Sequence, residues 1–165
     1  MKFSKFAVRL ALAPVSVSLD RHAVRWLGQS PVSWVFAKAE GVEYNPPILL
    51  TTRGRKTGRP REVVLPHFKA GAGSIAVVGS RGGMPIDPHW ARNLKAHPEA
   101  TIWYQRREIE VDVDLLEGAD REPLWASITA RSPIYLVYQK YALEHREIPV
   151  FRLTARDGTK LTAPG

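Results

Sequence analysis

Two hydrophobic periods divide this 165-residue chain. Over residues 3–13, FSKFAVRLALA, the positions Phe3, Phe6, Ala7, Leu10 and Ala11 share one helical face. Lys2, Lys5 and Arg9 occupy the other, and Pro14 ends the pattern. A second helical stretch covers about Asp20 to Leu27, where GQSP interrupts it. Ser30 is placed to cap the next, with Pro31 at the first helical position and SWVFAKA running on to about Ala39. GVEYNPP then reads as a linker, since its paired prolines forbid helix.

From Ile48 the period shortens. ILLTT (48–52), EVVLPHF (62–68) and SIAVVGS (74–80) are short, β-branched and bounded by turns, which predicts strands. Asp87-Pro88 opens a helix over HWARNLKAH, with Asp87 as its cap and Pro98 closing it. ATIWY (100–104) and REIEVDVDLLE (107–117) return to strand. In the second, Ile109, Val111, Val113 and Leu115 alternate with Glu108, Glu110, Asp112 and Asp114, the pattern of a strand with one wet face. ADREPLWASITARS and YLVYQKYALEH read as helices, and IPVFRLTA as a final strand. Six strands with one long helix between the third and fourth lack the rhythm of a doubly wound parallel sheet. The expectation is an α+β, mainly β, fold. An antiparallel six-stranded barrel over residues 47–165 carries peripheral helices and follows an N-terminal helical segment and linker, 1–46.

Composition changes this picture little. The hydrophobic share is 44% and the charged share 24%, ordinary for one soluble domain of this length. No cysteine is present, which excludes disulfides and thiolate metal sites and fits a reducing, cytoplasmic setting. His22, His89, His97 and His145 show no metal-ligand spacing with one another or with carboxylates, so no metal is expected.

Charge changes it more. Residues 1–61 hold eleven Lys and Arg against three Asp and Glu, whereas residues 62–165 hold thirteen of each, so the net +8 lies entirely in the first part. That imbalance points to a localised anionic partner: a phosphate-bearing cofactor, anionic lipid or nucleic acid. The first helix has two readings. It docks on the domain or on a partner copy, or it lies on an anionic membrane as a basic amphipathic helix. Arg9 breaks the apolar core that a secretory signal requires, and no run reaches the roughly 18 uncharged apolar residues of a membrane span.

The cations concentrate in TTRGRKTGRPRE, Thr51 to Glu62. Arg53, Arg55, Lys56, Arg59 and Arg61 crowd into nine positions, with Gly54, Gly58 and Pro60 threaded between them. Strands on both sides make this the connection of a β-hairpin. Glycines let its backbone turn and expose N–H groups, while guanidinium forks grip phosphate or carboxylate oxygens in pairs. Such a turn can hold a polyanion; a solvated loop that aids solubility is the other reading. Its spacing departs from the phosphate loop of nucleotide-binding proteins, which also leads into a helix rather than a strand. With no aromatic residue between Thr51 and His67, nucleic acid is disfavoured.

A second loop, in VVGSRGGMPIDPHWARNL, runs from strand through glycines to helix. It offers the Ser80 hydroxyl, the Arg81 cation, and close backbone approach at Gly82 and Gly83. LLTTRGRKTGRPREVVL, then VVGSRGGMPIDPHWARNLKAHPEATI, then IPVFRL near the end, together resemble the deazaflavin-dependent nitroreductase family. The resemblance spans about Pro47 to Leu153, and N-terminal helices occur in one branch of that family.

The resemblance implies a split β-barrel of the FMN-binding, flavin-reductase type and use of the reduced deazaflavin coenzyme F420. That coenzyme carries a phosphodiester and a tail of glutamates. On this reading Arg55, Lys56 and Thr57 would hold phosphate, with Arg59 and Arg61 near the acidic tail. Ser80, Arg81, Gly82 and Gly83 would line the phosphate and the deazaflavin ring, and Asn93 would reach the cofactor from the helix. Trp90 is read as a brace for that helix. A deazaflavin has carbon in place of the ring nitrogen that makes flavins one-electron carriers. It therefore gives a hydride, to electron-poor acceptors such as quinones, activated alkenes or nitroaromatics.

An acceptor gaining a hydride needs a proton or a hydrogen-bond donor at the atom that gains charge. SPIYLVYQKYALEH supplies Tyr135 and Tyr138, three apart on one helical face, with Tyr141 extending it. In the family, tyrosines on such a segment shape the substrate pocket and donate to the substrate. Ser80 is the third catalytic candidate. An aromatic stripe packed on the barrel is the competing reading of the tyrosines. Ser132 and His67 stand where the family often has a tyrosine and an aromatic residue, which counts against bulky nitroimidazole substrates. The expected function is an F420H2-dependent quinone reductase or nitroreductase. The alternatives are a non-catalytic deazaflavin-binding carrier and an FMN-dependent reductase of the same fold. A homodimer, and a peripheral membrane contact through the first helix, are compatible with all three.

Overall fold

The computed structural model describes residues 14–40 and 46–162. The expected amphipathic helix over 3–13 and most of the GVEYNPP linker lie outside the described residues. Helix α1 is Pro14–Leu27 and α2 is Pro31–Glu40. The described part of the first reaches back to Pro14, well ahead of the start near Asp20 that the sequence suggests. Ser30 caps α2 as expected, its Oγ accepting the Ser33 N–H at 2.8 Å. Asp20 completes the elbow between the helices, accepting from the Ser30 hydroxyl at 2.8 Å and from the Val32 N–H at 3.0 Å.

The strands are β1 (Ile48–Arg53), β2 (Pro60–Leu65), β3 (Phe68–Lys69), β4 (Ser74–Val78), β5 (Glu99–Tyr104), β6 (Arg107–Leu116) and β7 (Val150–Ala155). They form one seven-stranded sheet, ordered β2-β1-β5-β6-β7-β4-β3, with antiparallel pairings throughout. The sequence predicts six strands, and the correction lies in EVVLPHF. Pro66 has no N–H to give a ladder, so the run breaks there; the part up to Leu65 pairs with β1 and Phe68–Lys69 pairs with β4.

That break dictates the shape. β2 and β3 are the two ends of the sheet order, yet only Pro66 and His67 separate them, a Cα span of at most about 11 Å. The sheet must curl until its edges meet at this corner, which makes a half-open barrel. His67 is buried in the corner, edge-on to Tyr104 with ring centroids 5.9 Å apart.

Alternation along the strands sorts side chains into two cores. Ile48, Leu50, Ile75, Val77, Val111 and Leu153 fill the barrel, joined by Trp90 and Leu94 from α3 (His89–Ala96). Each such fully buried side chain contributes about 1.5–3 kcal/mol of burial. Ala76, Val78, Leu116 and Val150 point outward, into a second core with Trp125 and Ile128 of α4 (Gly118–Arg131) and Tyr135 of α5 (Ile134–Ala142). Burial on both faces explains why SIAVV is an unbroken apolar run. β6 keeps its wet face as far as Asp114. There the expected alternation fails: Leu115 is 38% exposed, and Leu116 is the buried residue, facing the outer core under α4.

Helix α1 packs against β1, β2 and β5. Trp26 meets Trp103 at 6.1 Å, and the Arg25 guanidinium lies over the Trp103 ring at 5.3 Å while ion-pairing with Glu62. Among the described residues no helix is long and apolar enough to cross a membrane.

Candidate functional site

The β1–β2 turn is held first by its own backbone. Gly54 N–H donates to the Arg59 carbonyl at 2.9 Å, and the Thr57 and Gly58 N–H groups converge on the Gly54 carbonyl at 3.2 and 2.7 Å. Gly54 is required by contact, since a Cβ there would sit 2.9 Å from the Arg59 carbonyl oxygen. Asn93 of α3 then grips the turn a second time. Its buried amide accepts the Arg55 N–H on Oδ1 at 3.2 Å and donates from Nδ2 to Thr52 Oγ1 at 3.0 Å.

Between this turn and α3 lies a cleft of about 570 Å³, lined in part by Arg55, Lys56, Thr57, Arg61, His89 and Trp90. Three basic side chains, Arg55, Lys56 and Arg61, face it. Glu62 also borders it, but Arg25 pairs with that carboxylate, so the cationic character persists. The first turn of α3 adds the positive end of a helix dipole, and its first N–H groups have no side-chain cap. The donor set fits a phosphate or carboxylate ligand, and the Trp90 ring, tilted on Phe151 at 5.8 Å, gives the cleft a rigid apolar wall.

The loop from β4 to α3 is shaped differently. Ser80 is in the right-handed region, and Arg81, Gly82 and Gly83 follow at φ of 47°, 63° and 78°. Gly83 presses on α5: a Cβ there would lie 2.6 Å from the Tyr138 carbonyl oxygen and 2.9 Å from Tyr141 Cβ. Asp87 does not cap α3, contrary to the sequence expectation. Two cations claim its carboxylate instead, Lys95 at 2.7 Å and Arg146 at 2.8 Å. Arg146 also donates to the carbonyls of Gly79 at 3.1 Å, Ser80 at 2.7 Å and Met84 at 2.9 Å. Burial pushes the pKa of its guanidinium down, and Asp87 opposes that shift; an arginine remains charged throughout.

Tyr135 is buried, edge-on to Phe68 at 5.7 Å, Trp125 at 6.4 Å and Tyr138 at 6.0 Å. Burial, with a smaller contribution from Tyr138, pushes its phenol pKa well above the usual range, so it keeps its proton. Tyr138 is half-buried, with its backbone against Gly83.

Arg55, Lys56, Thr57, Arg61 and Asn93 are thus brought together around one cleft. Arg59 sits exposed on the turn, outside that lining. Ser80, Arg81, Gly82 and Gly83 form a second group beside Tyr138, joined to the first through α3, and Ser80 makes no side-chain hydrogen bond to the turn it begins. Tyr135 belongs to the outer core. Sequence reasoning missed Arg146, whose partners lie 59 to 67 positions upstream, and no local pattern could have shown it. It also missed the Arg25–Glu62 pair and the place of His89 in the lining. Among the described residues no cluster of three His, Asp or Glu side chains could hold a metal.

The fold has parallels among solved structures. One described as an F420-H2 dependent reductase, FDR-A, shares 34% identity with this chain. The match covers 68% of this chain and 96% of that one, with a TM-score of 0.58. Another, described as a domain-swapped dimer, shares 32% identity over 75% of this chain and 99% of that one, also with a TM-score of 0.58. The fold is the split barrel of the flavin-reductase-like class. An F420H2-dependent quinone reductase of Mycobacterium tuberculosis strain H37Rv is 33% identical over 114 residues, which is 67% of this chain and 74% of that relative. The family model for F420H2-dependent quinone reductases matches residues 34–155, and the chain belongs to that family. It is an F420H2-dependent oxidoreductase, with the deazaflavin coenzyme F420 as its cofactor.

Proposed function

We propose that the cleft between the basic turn and α3 receives the phosphodiester and glutamate end of reduced F420. Ser80–Gly83 and Tyr138 then border the place where a quinone is reduced. One observation carries this reading: Arg55, Lys56, Thr57 and Arg61 converge on a single cleft whose turn is braced from α3 by Asn93.

When bound, the coenzyme supplies a hydride from its ring carbon. The protein's own residues position it and manage charge. Arg55 and Lys56 neutralise the phosphodiester with charge-assisted hydrogen bonds, and Thr57 adds a hydroxyl. Arg61, and the exposed Arg59 beyond the cleft, would lie near the acidic tail and offset its charge. Asn93 uses both ends of its amide on the turn, so its role is to position the turn. The Ser80 hydroxyl and the loop at Arg81–Gly83 line the ring. Tyr138 donates a hydrogen bond to the acceptor oxygen as negative charge develops there. Tyr135 stays protonated and fixes the Tyr138 ring edge-on at 6.0 Å.

Quinones are the acceptors that the family name favours, and activated alkenes and nitroaromatics share their electron poverty. Residues 47–165 form the coenzyme-binding barrel in this reading, with 1–46 as an attached helical segment. A homodimer is the assembly to test by light scattering, since one solved relative is described as a domain-swapped dimer.

The test is a titration with F420 and with FMN, followed by addition of menadione while coenzyme oxidation is monitored. Lys56→Ala is expected to weaken F420 binding by about 1–3 kcal/mol. Arg59→Ala, outside the cleft, is expected to cost under about 1 kcal/mol. A Lys56→Ala chain with an unchanged dissociation constant removes the turn from the site. Tight F420 binding with no turnover on any acceptor identifies a carrier.

A further inference from the structure

We propose that Arg146 is the positioning residue of the coenzyme loop, the group that sets where Ser80 to Gly83 present their backbone. This rests on the placement of F420 beside that loop argued above. One largely buried guanidinium donates four hydrogen bonds into the stretch from Gly79 to Asp87: to the carbonyls of Gly79, Ser80 and Met84 and to the Asp87 carboxylate.

The consequence for the loop follows from peptide geometry. In a trans peptide the carbonyl and the next N–H point in opposite directions, and no cis peptide is present among the described residues. With the Gly79 and Ser80 carbonyls drawn in to Arg146, the N–H groups of Ser80 and Arg81 face away from it. Ser80 in the right-handed region followed by Arg81 at φ 47° is also the backbone pair whose successive N–H groups form an anion-receiving concavity. A left-handed arginine is strained, so the surroundings must hold the loop there. Gly83 and Met84 N–H groups close the turn on the Ser80 and Arg81 carbonyls, Gly83 packs on α5, and the guanidinium fixes the Gly79, Ser80 and Met84 carbonyls from outside.

Arg146 is itself fixed from two helices. Gln139 of α5 accepts the Ile148 N–H at 2.8 Å and donates to the Arg146 carbonyl at 3.3 Å. Arg121 of α4, buried under its own cation–π contact with Trp125, donates to the Ile148 carbonyl at 3.1 Å and pairs with Glu147 at 3.2 Å. The helix that carries Tyr138 and the loop that borders the ring therefore share one brace. A lysine could not replace it, since a single ammonium cannot reach three carbonyls and a carboxylate arranged around a planar fork.

The experiment uses the full chain with Arg146→Lys, Arg146→Ala and Asp87→Asn. F420 affinity is read by fluorescence, amide exchange over residues 80–84 by mass spectrometry, and KM separately for F420H2 and menadione. Arg146→Lys is expected to weaken F420 about tenfold or more and to speed exchange of those amides by a similar factor. It should raise KM for F420H2 while KM for menadione holds, and methylguanidinium should restore affinity to Arg146→Ala. Wild-type affinity and protection in Arg146→Lys would overturn the proposal. So would a loss of folded protein with KM for F420H2 unchanged. Should both Arg146 variants fail to fold, Asp87→Asn decides: about threefold weaker F420 supports the assignment, and an unchanged dissociation constant sinks it. A wild-type chain that does not bind F420 removes the functional reading itself, visible in the first titration before any variant is made.

Discussion

The basic turn and the glycine loop share a motif in sequence, arginine set among glycines at the end of a strand, five cations in the first and one in the second. They differ in how much of their order comes from outside. The turn closes through its own hydrogen bonds, from Gly54 to Arg59 and from Thr57 and Gly58 back to Gly54, with Asn93 adding a clasp. The loop has two backbone bonds of its own, Gly83 N–H to the Ser80 carbonyl at 3.0 Å and Met84 N–H to the Arg81 carbonyl at 3.3 Å, yet it carries three successive left-handed residues and is gathered from outside by a guanidinium distant in the chain. A segment that satisfies itself locally can be read locally. One that borrows its order from a distant side chain cannot.

The largest expected effect falls on the borrowed loop. Gly83→Val puts a β-branched residue at φ 78° with its Cβ against the Tyr138 carbonyl, so both backbone and space oppose it. A loss of about 3 kcal/mol or more in stability is expected by urea denaturation, with F420 binding weakened beyond about a hundredfold. Gly82→Ala is the control. Nothing lies within 4 Å of a Cβ at Gly82, so only the left-handed strain of about 1–2 kcal/mol should appear. Equal effects at the two glycines would mean that contact with α5 is not what fixes the loop.

Next in size is the acid response of the corner that joins the two regions. His67 links β2, which ends the turn's hairpin, to β3, which pairs with the strand leading into the loop. Burial pushes its pKa from 6.5 down to about 4. The unfolded chain thus binds more protons between those values, and stability falls as pH drops through that window. The expected loss is about 3 kcal/mol, complete near pH 4. His67→Phe should remove this component from a plot of unfolding free energy against pH. An unaltered profile in that variant would assign the acid response to other groups.

The smallest effect tests the partner helix of the loop. Tyr138→Phe is expected to lower kcat by about tenfold while F420 affinity stays within about twofold, because one hydrogen bond to a developing charge is lost and the packing is kept. Equal kcat would return Tyr138 to a packing role beside Tyr135.

Much of the barrel was legible because it follows from short-range rules. The period-two run of β6 marks Ile109, Val111 and Val113 as interior, and the unbroken SIAVV marks a strand buried on both faces. Ser30 before Pro31 marks a helix start that its hydroxyl does cap. Pro66 was visible too, yet that it moves the chain from one sheet edge to the other appears only once β2 and β3 have found separate partners. Asp87 had the right residue type and position for a cap, but Arg146 and Lys95 are stronger partners than backbone N–H groups, and their approach is a property of the folded chain.

The same division holds at the site. Charge is additive along a chain, so the cationic turn and its anionic preference were fixed by residue identity alone. Which tyrosine is sealed in a core and which borders the loop depends on how α5 is rotated against the sheet, and three-residue spacing places both on one face without choosing between them. That choice, and the gathering of the loop by Arg146, arise from contacts between residues far apart in the chain, where closing the fold brings together groups that no window of sequence contains.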